Sequence, residues 1–291
     1  MAVWPAGLGA ALVDIGCNLT AHQFKDVGAV LHRAAASGIG HIIVTGVSLK
    51  ESAAAIALCR QWPPSSTTPR LTCTVGCHPH ESSRHLQHDS VQQFRKLIEE
   101  NRDVVVAVGE CGLDYERNFS EPADQRTLFR AQLQLSLDLD MPLFLHSRGD
   151  THDDFCSALD DIGGLNRQWR GVLHCYTDED LEHLLRYLQY GFHIGITGWV
   201  CDERPGRGQG LARIVAAIPK DRLLIETDAP YLLPRNIPTG AIRPKPKINE
   251  PALIEYVARK VAQCYTDHAA PITPDEIARI TTENANKLFS L

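Results

Sequence analysis

Four side chains that can bind metal ions each stand at or just after the end of an apolar segment. The four are Glu110 after Val-Val-Val-Ala-Val-Gly, His146 after Met-Pro-Leu-Phe-Leu, His174 after Gly-Val-Leu, and Asp228 after Leu-Leu-Ile-Glu-Thr. Carboxylates and imidazoles are common ligands of divalent ions. A lone histidine at such a position is more often a structural residue, so the inference depends on the four occurring together. Because the strands of a parallel barrel all end at one face, these side chains would meet there and hold one or two ions.

The segments that must position these residues alternate between strand and helix. Strands are predicted at residues 11–15, 41–45, 71–75, 104–108, 143–145, 171–173, 192–196 and 223–226. Helices are predicted at 27–37, 50–61, 90–101, 122–139, 153–161, 178–190, 210–217, 251–264 and 273–288. The strands at 104–108 and 223–226 are almost continuously apolar, as expected when both faces of a strand are buried. Eight repeats favour an α/β fold of the closed (β/α)8 TIM-barrel type over an open sheet.

The length and charge of the chain limit the classes of protein it can belong to. Barrels of about 250 residues are commonly single domains, so we expect one domain over residues 1–291. The net charge of −6 argues against a protein whose surface is broadly basic and binds duplex nucleic acid. It is compatible with a small basic patch around an active site. No Gly-x-Gly-x-x-Gly or Gly-x-x-x-x-Gly-Lys motif occurs, which argues against a dinucleotide or nucleoside triphosphate site.

The cysteines and the apolar segments indicate the cellular compartment of the protein. The nine cysteines are scattered and include no Cys-x-x-Cys pair, which indicates a reducing compartment and not a disulfide framework. No segment approaches the ~18 apolar residues that a membrane span needs. We therefore expect a soluble cytoplasmic monomer without membrane contact, with the nucleus as the alternative location.

Further polar residues follow the predicted strands and would reach the same face. His78 and His80 lie in Gly-Cys-His-Pro-His after the third strand. They could bind a metal ion, but we favour contact with an anionic substrate. Arg148 follows His146 by two residues and could clamp a phosphate or carboxylate with paired hydrogen bonds. The alternative for Arg148 is a salt bridge to Asp150 or a similar neighbour.

Two loops near the chain's last strands combine aromatic and basic residues. Residues 199–207 contain Trp199 with two arginines, and residues 231–235 run from Tyr231 to Arg235. The basic stretch continues with Arg243, Lys245 and Lys247. Single nucleic-acid strands are often held by bases stacked on aromatic rings and by cations along the phosphates. An ordinary solvated loop explains the same composition equally well.

Seven ordered motifs together resemble one known family. They are Asp-Ile-Gly-Cys-Asn-Leu-Thr (14–20), Val-Gly-Cys-His-Pro-His (75–80), Gly-Glu-Cys-Gly-Leu-Asp (109–114), Phe-Leu-His-Ser-Arg (144–148), Leu-His-Cys-Tyr-Thr (173–177), Ile-Gly-Ile-Thr-Gly-Trp-Val-Cys (194–201) and Glu-Thr-Asp-Ala-Pro-Tyr-Leu (226–232). On these residues, nearly the whole chain resembles the TatD family of metal-dependent deoxyribonucleases, within the amidohydrolase-like barrel superfamily. The resemblance implies a (β/α)8 barrel that hydrolyses phosphodiester bonds. It also implies a 3′→5′ exonuclease on DNA, often single-stranded, with RNA as a further substrate of some members.

The resemblance assigns roles to individual residues. It implies Glu110, His146 and His174 as metal ligands and Asp228 as a ligand or general base. A metal ion there would lower the pKa of a water molecule, and Asp228 would take the proton of that water. Glu110, with two oxygens, could also bridge to a second ion. Asp14 is a candidate for an outer-shell contact to the metal through water.

The chain departs from the pattern of many family members at the end of the first strand. Those members have His-x-His, whereas this chain has Gly16 and Asn18 at the matching positions. Asn18 offers only an amide, which we assign to the substrate site. We therefore expect fewer nitrogen ligands and a loosely held ion, Mg²⁺ first, with Mn²⁺ or Zn²⁺ as alternatives.

Two other functions use the same residues differently. A metal-dependent deacylase, for example one acting on aminoacyl-tRNA, would need nearly the same ligands, since the fold does not settle the substrate. A barrel that binds nucleic acid or a partner without turnover is the second alternative. The cluster of acidic and imidazole groups argues against it, because such groups are costly to bury without a metal ion.

Overall fold

Eight parallel strands form one sheet in chain order in the computed structural model, which describes residues 11–86, 90–239 and 248–291. The strands are β1 Leu12–Cys17, β2 Ile39–Val44, β3 Arg70–Val75, β4 Val105–Asp114, β5 Leu143–Arg148, β6 Gly171–Leu173, β7 His193–Ile196 and β8 Leu223–Ile225. Every neighbouring pair from β1–β2 to β7–β8 is parallel. Parallel strands in this order require a crossover between each pair, which the helices provide.

The α-helices lie between and after the strands. They are α1 Val27–Ala36, α2 Leu49–Gln61, α3 Ser82–Leu86, α4 Ser90–Glu99, α5 Pro122–Leu139, α6 His152–Asp160, α7 Leu181–Gln189, α8 Gln209–Ile214, α9 Ile254–Asp267 and α10 Pro274–Phe289. No helix of the described segments is both long enough and apolar enough to cross a lipid bilayer.

The chain that follows β8 joins the first strand and closes the barrel. The backbone N–H of Asp228 donates to the carbonyl of Gly16 at 2.8 Å, and the N–H of Asn18 donates to the carbonyl of Ala229 at 2.8 Å. The side chain of Asp14 accepts from the backbone N–H of Thr227 at 2.9 Å and from its hydroxyl. Because buried backbone groups need partners, this seam fixes where Asp228 leaves the barrel wall.

Helix α10 seals the amino-terminal end of the barrel. The side chain of Asn284 donates to the carbonyls of Lys220 and Leu223 at 2.8 Å, at the start of β8. The apolar side chains of Leu288 and Phe289 pack into the barrel interior, where Val13, Ile43, Ala107, Phe144, Val172 and Leu224 meet. The helix begins with a capping box of Thr273 and Glu276, which satisfies its first N–H groups. With this end filled, the open end of the barrel is the one where the strands finish.

The predicted elements are present, and two predicted strand ends are wrong. The strands expected at 104–108 and 143–145 continue to Asp114 and Arg148, as the pairing of Gly112 with His146 shows. A register shift between Gly109 and Cys111 lets the pair continue past the polar residues. Glu110, His146 and Arg148 therefore lie within strands and not in loops. The basic residues 243, 245 and 247 and the amino-terminal residues 1–10 lie outside the described residues.

Replacement of Phe289 with alanine should destabilise the protein by about 3–5 kcal/mol, because it removes a ring that is 4% exposed and fills the closed end of the barrel. Urea unfolding would measure the loss. Lys287→Ala, at an exposed position of the same helix, is the matched control and should change stability by less than about 0.5 kcal/mol. Equal stability of the two variants would contradict the sealing role of α10.

Candidate metal centre

One carboxylate oxygen of Glu110 lies at the centre of a group of imidazoles. Its Oε1 is 2.7 Å from Nε2 of His174, 2.8 Å from Nδ1 of His146 and 3.3 Å from Nε2 of His78. Glu110 comes from β4 and His146 from β5, while His174 follows β6 directly and His78 lies three residues after the end of β3. Four adjacent strands thus deliver four side chains to one point at their carboxyl ends, as expected for a parallel barrel.

The donor set of this group fits a divalent cation. Ligand atoms of His78, Glu110 and His146 all lie within 4.8 Å of one another. Burial lowers the pKa of His78 to about 4, so its ring is neutral and its nitrogen can act as a ligand. Although burial opposes it, the charge of His174 and the hydrogen bonds from His146 and His174 hold the pKa of Glu110 well below its ordinary value. An ionised carboxylate surrounded by imidazole nitrogens is a suitable set for one metal ion.

The remaining nitrogens of two of these histidines are also buried and lack hydrogen-bond partners. His146 Nε2 and His174 Nδ1 have none among the described residues. Each of these nitrogens has a carboxylate 3.4 Å away, Asp114 for His146 and Glu226 for His174. Such outer carboxylates commonly orient metal-binding imidazoles. Because a ring nitrogen that faces such a carboxylate carries the N–H, the opposite nitrogens, His146 Nδ1 and His174 Nε2 beside Glu110, are the ones available to a metal ion.

Asp114, at the end of β4, is a site residue that the sequence analysis missed. Its Oδ2 lies 2.7 Å from Nε2 of His80, and its Oδ1 accepts the backbone N–H groups of Glu116 and Arg117 at 3.0 Å. Although burial opposes it, the contacts of His146 and His80 lower the pKa of Asp114. The signal was present in the sequence, because Glu110 and Asp114 are four residues apart and would share a face if the strand continued. His80 is therefore bound to Asp114, whereas His78 reaches Glu110.

Glu226, also without an assigned role in the sequence analysis, explains why position 16 is glycine. Its carboxylate is fully buried, and Oε1 accepts the backbone N–H of Cys175. A Cβ added at Gly16 would lie 2.0 Å from Glu226 Oε2, and one added at Gly195 would lie 2.6 Å from Oε1. The carboxylate therefore fills the space between two glycines of β1 and β7. No side chain fits at position 16 while Glu226 keeps this position.

Asp228 and Asn18 face the same open end. Asp228 Oδ1 accepts from Asn18 Nδ2 at 2.9 Å, and the backbone of Asp228 is left-handed, with φ of 50°. Burial raises the pKa of Asp228 to about 7. Asp14, in contrast, does not line this cleft, since its carboxylate binds Thr227 and the N–H of Gly16 beneath it. The contacts of Asp14 thus hold the seam of the barrel.

The cleft above the metal centre has a volume of about 1160 Å³. That volume is at the upper end of what small-molecule pockets offer, so it suits a larger substrate. Arg148 lines the cleft, and its guanidinium is 3.6 Å from Glu116. Arg148 therefore forms the salt bridge considered in the sequence analysis, but its partner is Glu116, after β4, instead of Asp150. Arg148 remains 38% exposed and can turn to a substrate.

The two aromatic loops differ in how their arginines are used. Trp199 and Tyr231 both line the cleft, and the guanidinium of Arg207 lies 5.3 Å from the centre of the Trp199 ring. Arg204 and Arg235 instead bind Asp202, Arg204 through two hydrogen bonds and Arg235 at 3.2 Å. Asp202 therefore ties the two loops together.

A parallel eight-stranded barrel with imidazoles and carboxylates gathered at the carboxyl ends of its strands defines a metal-dependent hydrolase of the amidohydrolase-like type. The profile of the family described as TatD related DNase matches residues 13–290. The chain belongs to the TatD family.

Individual relatives agree with this assignment. The protein named 3′-5′ ssDNA/RNA exonuclease TatD from Citrobacter rodentium is 41% identical over 283 residues, which cover 96% of this chain and 98% of that protein. A TatD-family hydrolase from Entamoeba histolytica has a TM-score of 0.85 at 27% identity and covers 97% and 99% of the two chains. A TatD homologue from Escherichia coli has a TM-score of 0.80 at 28% identity, with 96% and 98% covered.

Glu226→Gln should weaken binding of a divalent ion by about 10- to 100-fold, because the neutral amide no longer orients His174 as a carboxylate does. Calorimetric titration of metal-stripped protein with Zn²⁺ or Mn²⁺ would measure the affinity without any substrate. Glu255→Gln is a matched control, since Glu255 is also buried and has an unpartnered oxygen but lies on α9, paired with Arg259. Equal affinity in the Glu226 variant and wild type would exclude this role.

Proposed function

We propose that this protein hydrolyses phosphodiester bonds with a bound divalent ion, as a 3′–5′ exonuclease on single-stranded DNA and also on RNA. The observation that carries the proposal is the convergence of three imidazoles on the ionised Glu110 at the open end of a TatD-family barrel. A relative at 41% identity, named as a 3′-5′ exonuclease for single-stranded DNA and RNA, supports the substrate class.

The residues that would hold the ion are Glu110, His146 and His174, and we now add His78. The sequence analysis favoured a substrate contact for His78, yet its Nε2 is 3.3 Å from the same oxygen as the other two nitrogens. Three imidazoles form a nitrogen-rich set, which suits Zn²⁺ better than Mg²⁺. Oxygen ligands such as Asp228 and a substrate phosphate suit Mg²⁺ or Mn²⁺, so the expected Mg²⁺ fits a second, substrate-recruited ion.

A bound divalent ion would polarise the phosphate and lower the pKa of a water molecule. Asp228 is half-buried at the edge of the cleft, and the amide of Asn18 holds its carboxylate in one orientation. It is therefore our candidate for accepting the proton of the attacking water. Arg148 and His80 line the same cleft and supply positive charge and N–H donors for the phosphate.

The remaining expectations concern the protein as a whole. We propose a single domain over residues 1–291 that acts as a monomer in the cytoplasm. All nine cysteines are free, which is compatible with a reducing compartment. A nuclear location has no support in these observations and is not proposed.

Metal-stripped protein should not degrade an end-labelled single-stranded DNA, and adding Zn²⁺, Mn²⁺ or Mg²⁺ should restore stepwise shortening from the 3′ end. Denaturing gels with 3′- and 5′-labelled strands would follow the direction of cleavage. Hydrolysis of an aminoacylated RNA, with no cleavage of DNA or RNA strands under any ion, would instead favour the deacylase.

Asp228→Asn should lower the rate of DNA hydrolysis by about 10²- to 10⁴-fold, because an amide cannot accept the proton of the water. Asp178→Asn is the matched control, since Asp178 lines the same cleft but contacts His183 instead of the metal centre. The control should keep activity within a few fold of wild type. A turnover rate within a few fold of wild type in the Asp228 variant, at an unchanged melting temperature, would remove Asp228 from the mechanism.

A further inference from the structure

Two exposed aromatic rings lie beside the cleft: Tyr231 lines it, and Phe119 packs against His80, which lines it. Phe119 is 69% exposed and Tyr231 is 51% exposed, and they are the only large aromatic side chains in the described segments with such exposure. The other exposed large apolar residues there are leucines. Burying an aromatic ring is favourable, so the folded chain gains nothing from leaving these two rings in water. Because Tyr231 lines the cleft and Phe119 packs against a residue that lines it, their positions suggest a ligand that extends from the cleft and covers both rings.

The two rings stand on opposite walls. Phe119 lies in the connection between β4 and α5, and Tyr231 follows β8. In a barrel of eight strands in chain order, β4 and β8 are four strands apart and face each other across the axis. The candidate metal centre, in which Glu110 comes from β4, lies at the strand ends between them.

Phe119 connects to the metal centre through a series of rings. Its ring centre is 4.8 Å from that of His80, and the ring centre of His80 is 4.2 Å from that of His78. His78 in turn reaches Glu110 Oε1 at 3.3 Å. A flat group stacked on Phe119 would therefore be separated from the metal centre by two imidazole rings.

Both rings sit on backbone that is fixed by hydrogen bonds. Next to Phe119, the hydroxyl of Ser120 donates to the carbonyl of His80 at 2.8 Å and accepts the N–H of Ser83 at 3.1 Å. On the other side of Phe119, Asn118 Nδ2 donates to the carbonyl of Tyr115 at 2.8 Å. The N–H of Tyr231 donates to the carbonyl of Asp228 at 3.0 Å. Anchored in this way, both rings are presented at defined positions, which reduces the entropy lost when a ligand binds.

Two arginines that line the cleft have no carboxylate within ion-pair distance in the described part of the chain. Arg117, two residues from Phe119, and Arg207, over Trp199, both line the cleft. Neither guanidinium is within ion-pair distance of a carboxylate in the described segments, whereas Arg204 and Arg235 are bound by Asp202. A flat apolar surface beside an unneutralised guanidinium is the combination that holds a base and its phosphate.

We infer that Phe119 and Tyr231 are stacking platforms that hold nucleobases of a single strand on the two sides of the metal centre, with Arg117 and Arg207 on the adjoining phosphates. This inference rests on the proposed nuclease function and adds which residues bind the bases and phosphates of the substrate. Bases inside a duplex are already stacked and cannot lie on the two rings. The platforms therefore select single strands, whatever the sequence, because every base has a flat face.

The test compares Phe119→Ala and Tyr231→Ala with wild type on a single-stranded oligodeoxynucleotide. We expect KM to rise by about 5- to 150-fold for each variant, the loss that removal of one stacking partner produces, with kcat changed only a few fold. Phe119→Trp should restore KM, because it restores a flat ring. Leu185→Ala, at an exposed apolar position of α7, is the matched control and should leave KM unchanged.

A second substrate separates stacking from a loss of structure. An abasic oligomer has the same phosphodiester backbone without bases, so wild type and both alanine variants should hydrolyse it with equal kcat/KM. Equal KM of wild type and both alanine variants on the normal strand would overturn the inference, as would an equal loss on the abasic oligomer. If wild type cleaves neither strand with any ion, the nuclease function itself fails, and that result is distinct from failure of the platforms.

Discussion

The site depends on one buried interaction, the contact of the ionised Glu110 carboxylate with the imidazoles around it. A carboxylate that is 5% exposed is costly to keep charged unless positive charge or N–H groups face it. Three strand ends supply those groups, and the register shift after Gly109 turns Glu110 toward them. The same shift allows β4 and β5 to continue as a pair to Asp114 and Arg148. β4, which carries Glu110, is therefore the longest strand of the barrel, with 10 residues.

The two ends of the barrel perform different tasks. At the amino-terminal end, α10 inserts Leu288 and Phe289 and completes the apolar core. At the carboxyl end, polar groups replace apolar ones, and the cleft stays open above them. The apolar packing that stabilises the amino-terminal end of the barrel is therefore remote from the site. The loops after the strands can carry polar and charged residues without disturbing that packing. The seam between β1 and the chain after β8 links the two tasks, because it both closes the barrel and positions Asp228.

Close packing leaves no room for a histidine at position 16 of this chain. In this chain the Glu226 carboxylate occupies the space beside Gly16 and faces His174. A buried carboxylate thus adjoins the candidate ligand His174. The nitrogen-rich character of the site is retained by His78, which comes from a different strand. Although the chain has Gly16 and Asn18 at the end of β1 in place of two histidines, the candidate metal centre still has three imidazoles, those of His78, His146 and His174.

The barrel, its order of elements and the position of Glu110, His146, His174 and Asp228 at one cleft could be predicted from the sequence. Apolar runs that end in polar residues carry that information locally, and the rule that parallel strands finish on one face does the rest. Only the tertiary structure decided the extension of β4 and β5, the inclusion of Asp114 and Glu226, and the partners of His78, His80 and Arg148. These depend on strand register and on distances between residues far apart in the chain, which no local pattern encodes. The exposure of Phe119 and Tyr231 is of the same kind, because a sequence names an aromatic ring but does not show whether anything covers it.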